Sequence, residues 1–467
     1  MATFLHIFRP APVRRRLWQW AGILALITLV FAIMNPLLPP EKSVTRQMMG
    51  HDFLAFYTAG TFVRQGRLDD LYDLPKVAEF QKSVAQQSGL EIEIDFEKQK
   101  FGPWWNPPFY AWIFAPLSLL SFNQAVALWT LLNVAALTGA VLMLMKMLAP
   151  PGSELDAQGR PIDWKTVGLV PFLVILSMPF IQAISHGQNT FISLCILCAV
   201  VTCWRYKRAV LAGGLCALLG YKPQLAAVVA CVLVFSLGFR ALAGLCFVGS
   251  GLVLITQLTL PGTLVDYLKL LPINVHYMQV EHAYLWERHA TLKGFWRLLL
   301  QGRDAGSMHW ITAICYFASV LMMGGLMIRA VWSHVRQWDV DDAWSMITEQ
   351  IWRDRLIAAT ICTAPLLMPF YFDYDLLLLS IPATLLAAES LCRPVDESKW
   401  LVRLWIGLYA WLLVNPGLAR TTHINVSVIL LSMIAVMMIH RATRNAKSGQ
   451  HTGHSVMEEV TIQPRAA

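Results

Sequence analysis

Apolar runs, each near the roughly 20 residues that carry a helix across a bilayer, alternate along the chain with short charged knots. The blocks lie at 18–34, 125–148, 167–185, 189–204, 209–220, 223–239, 241–260, 308–328, 356–370, 375–391, 401–416 and 424–440. In lipid the backbone must satisfy its own hydrogen bonds, so these blocks are predicted to be helices. The pattern predicts an all-α polytopic membrane protein with about twelve transmembrane helices. Its single domain covers residues 1–440 and carries two long outer loops, at 36–106 (holding short helices) and 261–307. Residues 441–467 are polar and read as a disordered cytoplasmic tail.

Composition agrees. Of 467 residues, 56% are hydrophobic and 14% charged, where a soluble domain has about 25% charged; mean hydropathy is +0.52. Net charge is +8. The basic residues gather at block ends, at Arg205/Lys207/Arg208, Arg240, Arg329–Arg355, Arg393–Arg403 and Arg441–Lys447. That is membrane anchoring rather than nucleic-acid binding, and placing these knots in the cytoplasm gives a consistent alternation with both termini inside. The run from Trp18 to Met34 follows Arg14, Arg15 and Arg16 but lacks a small-residue cleavage site, so it reads as an uncleaved first span. Asn106-Pro107-Pro108 to Ser121 is short and proline-bounded, and reads as a re-entrant or interfacial helix on the outer side. The spans within 209–239 are short for a full crossing. All nine cysteines lie in or beside apolar blocks, and the Cys195/Cys198 pair reads as small apolar packing.

Chemistry is concentrated at the outer turns. Asp52, after His51 and before Phe53 and Tyr57, is either a base in a partly desolvated site or the cap of a helix starting at Phe53. Trp104, Trp105 and Asn106 belong to an aromatic, proline-rich stretch that suits either sugar stacking or an interfacial belt. The turn His186-Gly187-Gln188-Asn189 places three polar side chains between apolar helices. Lys222 is either a functional cation or one that snorkels to head groups. The second loop carries His276, His282, Arg288, His289, Lys293 and Arg297 among aromatics, suited to an anionic lipid or to a helix lying on the membrane. Asp373-Tyr374-Asp375 sits at a late outer turn and could be only a helix start. Histidine spacing gives no metal motif, and no cofactor is expected.

Taken in order, these pieces resemble glycosyltransferase family 87, the polyprenol-phosphate-mannose-dependent mannosyltransferases with the C-type glycosyltransferase fold. The resemblance rests on Asp52-Phe53, Phe56-Tyr57, Ala59-Gly60, Gly66 and Tyr72-Asp73. It continues through Asn106-Pro107-Pro108-Phe109 into Phe114-Ala115-Pro116-Leu117, then Gly187-Gln188-Asn189, Arg208, Ala212-Gly213 and Lys222-Pro223. The chain departs from the family at Trp105-Asn106 and at Asp373-Tyr374-Asp375, where the family often shows a His-Tyr pair.

The resemblance implies that Asp52 is the base of an inverting transfer, with a polyprenyl-phosphate-linked sugar as donor, a lipid or glycan as acceptor, and membrane lipids around it. Donor phosphate would be met by Lys222, Arg288 and Lys293. Sugar or acceptor would meet His51, Tyr57, Trp104, Trp105, Asn106, His186, Gln188, Asn189, His276, His282, Asp373, Tyr374 and Asp375. It further implies a multi-pass protein of the cell inner (plasma) membrane with its active site on the extracytoplasmic side. Two other classes fit the hydropathy: a lipid-linked sugar transporter or flippase, and a non-catalytic membrane partner of a polysaccharide assembly system. Transporters place ionisable groups at the midplane, whereas here they gather at the outer mouths.

Overall fold

A computed structural model describes residues 12–35, 38, 42, 48–90, 92–148, 164–336, 346–392 and 398–443. The tail expected beyond Arg441 lies, from residue 444 onward, outside the described residues. Among the described residues the protein is helical, and the β-type pairings are two isolated bridges, Asp95 with Lys100 and His289 with Phe372.

Each apolar block is helical. The chain runs α1 (Pro12–Met34), α2 (Phe53–Arg64), α3 (Leu74–Gln87), α4 (Phe122–Leu148), α5 (Trp164–Ile175), α6 (Met178–His186) and α7 (Thr190–Arg205). It continues through α8 (Ala209–Leu218), α9 (Pro223–Leu237), α10 (Phe239–Thr259), α11 (Thr263–His276) and α12 (Leu292–Gln301). It ends with α13 (Trp310–Arg336), α14 (Met346–Leu367), α15 (Ser380–Cys392), α16 (Ser398–Leu412), α17 (Asn415–Thr422) and α18 (Val426–Thr443).

Four of these helices, α4, α10, α13 and α18, are long and apolar enough to cross a membrane, and α16 with α17 adds a fifth if that pair, bent by 76°, is one span. The other blocks are shorter or broken. The block at 167–185 is split between α5 and α6, because Ser177 is extended two residues before Pro179 and a residue close ahead of proline leaves the helical region readily. Pro416 stands in the first turn of α17, where its missing amide hydrogen costs no helical bond. The segment 107–121 is not an α-helix. It is a pair of 3-10 turns, Pro108–Phe114 and Leu117–Leu119.

Among the described residues, two large apolar cores hold the molecule. One fills the bundle, from Ala140 to Ala442. The other lies under the first outer loop, where Phe53, Phe56, Phe62, Trp104, Tyr110, Phe114 and Trp129 pack together. Phe56 stacks on Phe114 at 4.9 Å and Phe53 on Trp129 at 5.7 Å. Gly60 is what permits the approach: a Cβ there would lie 2.4 Å from the Phe114 carbonyl. Similarly, α8 and α10 touch backbone to backbone, since a Cβ on Gly213 would lie 1.9 Å from the Ala241 oxygen and one on Gly244 2.0 Å from the Val210 oxygen. Close contact through small residues is the usual route to helix association where lipid removes the hydrophobic drive.

A candidate active site at the outer turns

The turn after α6 organises the site. Gly187 takes a left-handed conformation, φ 70°, which closes the helix at little cost because glycine has no Cβ. It also leaves room for Gly50, whose Cα would be 3.2 Å from a Cβ at this position. The last carbonyls of a helix lack intrahelical partners. Here the Ser185 carbonyl accepts from the Gly50 amide at 2.8 Å, and that of His186 from the Asp52 amide at 3.0 Å. Trp129 Nε1 donates to the Gly187 carbonyl at 2.8 Å. Residues 50–52 are thereby fixed to the end of α6.

Helix α2 begins at Phe53, as the sequence suggests, but Asp52 makes no side-chain capping bond. Its Oδ2 accepts from Gln188 Nε2 at 2.7 Å and lies 3.4 Å from His186 Nδ1. Burial pushes the carboxyl up. The adjacent His186 imidazole, with the fields of His51 and Arg288, outweighs it and holds the group well below the usual carboxylate range. His51 is pushed down, chiefly by burial and by His186 and Arg288, against the pull of Asp52.

Two more carboxylates complete the cluster, each matched by a fixed cation. Arg288 donates Nη2 to Asp373 Oδ1 at 3.0 Å and Nε to Oδ2 at 3.3 Å, and Gln182 Nε2 donates to Oδ2 at 2.8 Å. Lys222 Nζ donates to Asp375 Oδ1 and Oδ2 at 3.0 and 3.2 Å, and Thr190 Oγ1 donates to Oδ1 at 3.0 Å. Tyr374 sits between the pairs, its ring centre 5.1 Å from Lys222 Nζ and 5.9 Å from the Arg288 guanidinium carbon. Lys222 is buried, so it does not snorkel to the surface. Asp373 and Asp375 do open a helical segment, a 3-10 turn, yet both also bind cations. The Asp52 side chain is 27% exposed, against 7% for Asp373 and 2% for Asp375. Asp52 is therefore the carboxylate of the three that a second molecule can reach, and the one matched only by an amide and a histidine.

The other predicted residues divide. Asn189 is wholly buried and donates to the Tyr110 hydroxyl at 2.9 Å. The Tyr57 hydroxyl donates to the Leu120 carbonyl at 2.8 Å. Trp104 is a core residue stacked on Tyr110 at 6.0 Å, forming neither a sugar platform nor a belt. Trp105 is half-buried, and the buried Asn106 accepts the Tyr72 hydroxyl on its carbonyl. His276 is exposed 3.7 Å from Glu281, and His282 bonds the Tyr277 carbonyl, so the structure does not join them to the Asp52 cluster. Lys293 lies against the rings of Phe370 and Trp286 and donates to Gln279 at 3.3 Å. Burial, then Arg297, push it down.

Gln182 and Thr190 were not singled out in the sequence. Gln182 stands four residues before His186, on the same helical face, which was the available signal. His289 joins the second loop to the late turn: it pairs with Phe372 across a bridge, and the Ala290 amide donates to the Tyr371 carbonyl at 2.8 Å. Among the described residues no group of three or more His, Cys, Asp or Glu side chains is arranged to hold a metal ion.

Residues 104–348 match the model of glycosyltransferase family 87. The matched span includes His186, Gln188, Lys222 and Arg288; Asp52 and Asp373–Asp375 lie outside it. No curated protein and no solved structure matches the chain.

Proposed function

We propose, from the premise that the chain belongs to glycosyltransferase family 87, that this membrane glycosyltransferase moves mannose from a polyprenyl-phosphate donor to a lipid or glycan acceptor with inversion. The observation that carries the reading is Asp52, an accessible carboxylate without a capping bond, aligned by Gln188 and His186.

The step balances simply. The acceptor hydroxyl gives its proton to an Asp52 carboxylate oxygen as its own oxygen bonds to the anomeric carbon. The bond from that carbon to the phosphate oxygen breaks, and polyprenyl phosphate leaves with the electron pair. One base opposite a good leaving group implies a single displacement, by analogy with inverting glycosidases. Arg288 is the cation best placed to meet the leaving phosphate, because its guanidinium already presents a two-pronged donor face to Asp373 and its field reaches Asp52. Lys222 has two bonds to Asp375 and supports the Tyr374 platform, and Lys293 stands farther along the second loop. Donor phosphate arriving beside Arg288 would offset the field that depresses Asp52, so the base strengthens when the donor is in place.

The same reading sets the protein in the inner (plasma) membrane with twelve crossings, the C-type fold, both termini cytoplasmic and the site outside. The arginine- and lysine-rich short connections support that orientation. Incubating the purified protein with labelled polyprenyl-phosphate mannose or a nucleotide-linked mannose, each with a mixed acceptor extract, tests it. Mannose transfer with an inverted anomeric centre is the expected result. Transfer from a nucleotide sugar alone, or with retention, would overturn it.

A further inference from the structure

Three helices carry polar groups at both ends. Helix α7 starts beside Gln188 and Asn189 and ends at Arg205; α14 holds Asp354 and Arg355 and ends just before Tyr371. Helix α18 starts after Asn425, whose Nδ2 donates to the Glu287 and His289 carbonyls, and reaches Arg441. Sixteen helical residues rise about 24 Å, most of a hydrocarbon core about 30 Å thick. A second charged centre therefore lies across the bundle from Asp52.

That centre lines a small cleft, with a cavity volume of about 30 Å³, walled by Arg205, Arg355, Arg441, Asp354 and Glu389. Its arginines outnumber its carboxylates by three to two. Arg205 holds Asp354 in a two-pronged pair at 2.8 and 3.0 Å. Arg355 and Arg441 must share Glu389, at 3.0 and 2.9 Å. Arg441 is 7% exposed, yet among the described residues its Nη1 has no hydrogen-bond partner. A buried donor left unsatisfied costs free energy that an acceptor would recover. The cleft is also walled by Leu385, Leu386 and Met438, so it couples an anion-seeking guanidinium to apolar surface. Charge excess, the unpartnered donor and the apolar wall together match a phosphate carried on an acyl tail.

We propose that this cleft binds the phosphate of an anionic membrane lipid, on the face of the bundle opposite Asp52, with Arg441 as its principal contact. The alternative is that the arginines only clamp three helix ends. Native mass spectrometry of the full chain released from neutral detergent separates them. The probes are phosphatidylglycerol, phosphatidylcholine of the same chains, and glycerol 3-phosphate.

The expected result is at least tenfold tighter retention of phosphatidylglycerol than of phosphatidylcholine, with glycerol 3-phosphate far weaker than either. Arg441→Gln should abolish most of that preference. Glu389→Gln, which removes the competing carboxylate while keeping the cations, should hold or raise it. Equal retention of the two lipids by the parent would overturn the proposal, as would full preference in Arg441→Gln. Glycerol 3-phosphate binding as tightly as phosphatidylglycerol would also overturn it, because the tail would then play no part. If Arg441→Gln does not survive purification, loss of the preference in Glu389→Gln overturns it on its own.

Discussion

Replacing Asp52 with Asn removes a proton acceptor and little else. Asn has the same outline, and its Oδ1 can still accept from Gln188 Nε2, now at 2.7 Å. No capping bond is lost, since Asp52 makes none, and Asn and Asp cap helices about equally well. The Asp52 amide still reaches the His186 carbonyl. The loss is the charge facing His186 and Arg288. The folded state favours the charged carboxylate, so losing that charge should lower stability, and the kinetic comparison is made at a temperature where both proteins are folded. A lost general base lowers the rate by about 10² to 10⁴, which is roughly 2.7–5.4 kcal/mol of barrier at about 1.36 kcal/mol per decade.

The assay is initial-rate transfer from labelled polyprenyl-phosphate mannose by the purified parent and variant, with thermal unfolding of both. The expected signature is a kcat lower by about 100-fold or more, a donor KM within a few-fold of the parent, and a melting temperature lowered but still above the assay temperature. Because Asp52 is held below the usual carboxylate range, it stays ionised through neutral and mildly acid pH, so its ionisation should impose no fall in kcat/KM there. Its folded-state pKa is depressed, so its stabilising contribution is complete above the unfolded-state value and lost as pH falls through the folded one. Activity of Asp52→Asn within about fivefold of the parent, far short of a lost base, would refute the reasoning. Attention would then move to Asp373 and Asp375.

Three further outcomes follow from the same contacts. Arg288→Lys keeps a charge but loses the two-pronged grip on Asp373, so donor KM should rise by tenfold or so while the protein folds; an unchanged donor KM would remove Arg288 from phosphate binding. His289 is pushed down to about 3, chiefly by burial and then by Lys293 and Arg288. An unfolded histidine titrates near 6.5, so stability is lost as pH falls from about 6.5 toward 3; His289→Phe should melt with a flatter dependence on pH between 7.5 and 5, and an identical slope would count against it. Gly60→Ala must push a methyl against the Phe114 carbonyl, at a cost of about 1–3 kcal/mol; proteolysis of the first outer loop should speed up, and parental resistance would contradict the packing.

Hydropathy located the apolar blocks, each of which is helical, because it is a local property that burial in lipid enforces residue by residue; it gave no bounds for α3, α11 and α12, which lie inside the two outer loops. It did not locate the breaks. Pro179 and Pro416 were visible signals, but the surrounding hydrophobicity masked them. Of the site, Asp52, Lys222, Arg288 and the Asp373–Asp375 turn were legible as polar residues at apolar borders. Their partners were not, since Lys222 meets Asp375 across 153 positions and Arg288 meets Asp373 across 85. Trp104 was misread because an aromatic run looks the same whether it faces a sugar, a membrane surface or, as here, its own core. The basic knots were read only as signs of orientation, so the pairing of Arg205 with Asp354 and of Arg355 and Arg441 with Glu389 went unseen.

Buried ion pairs are poor evidence for stability, because desolvation can cost more than the attraction returns. Lys222–Asp375 and Arg288–Asp373 therefore need another reason to be kept at the mouth of the bundle. Charge balance supplies one. Each pair is neutral, so together they add fixed dipoles around Tyr374 without adding net charge. That leaves Asp52 as the carboxylate of the cluster without a fixed cation of its own, and the most exposed of the three. On the proposed reading, a sugar phosphate entering the site would meet the Arg288 guanidinium already oriented by Asp373, and need not reorganise it. Removing one carboxylate should then harm catalysis more than its distance from Asp52 suggests, because Arg288, freed from Asp373, would turn toward Asp52 and neutralise the base. Asp373→Asn should thus lower kcat while tightening the hold on anionic donor, and a variant with weaker donor binding and normal kcat would show that Asp373 shapes the sugar pocket instead.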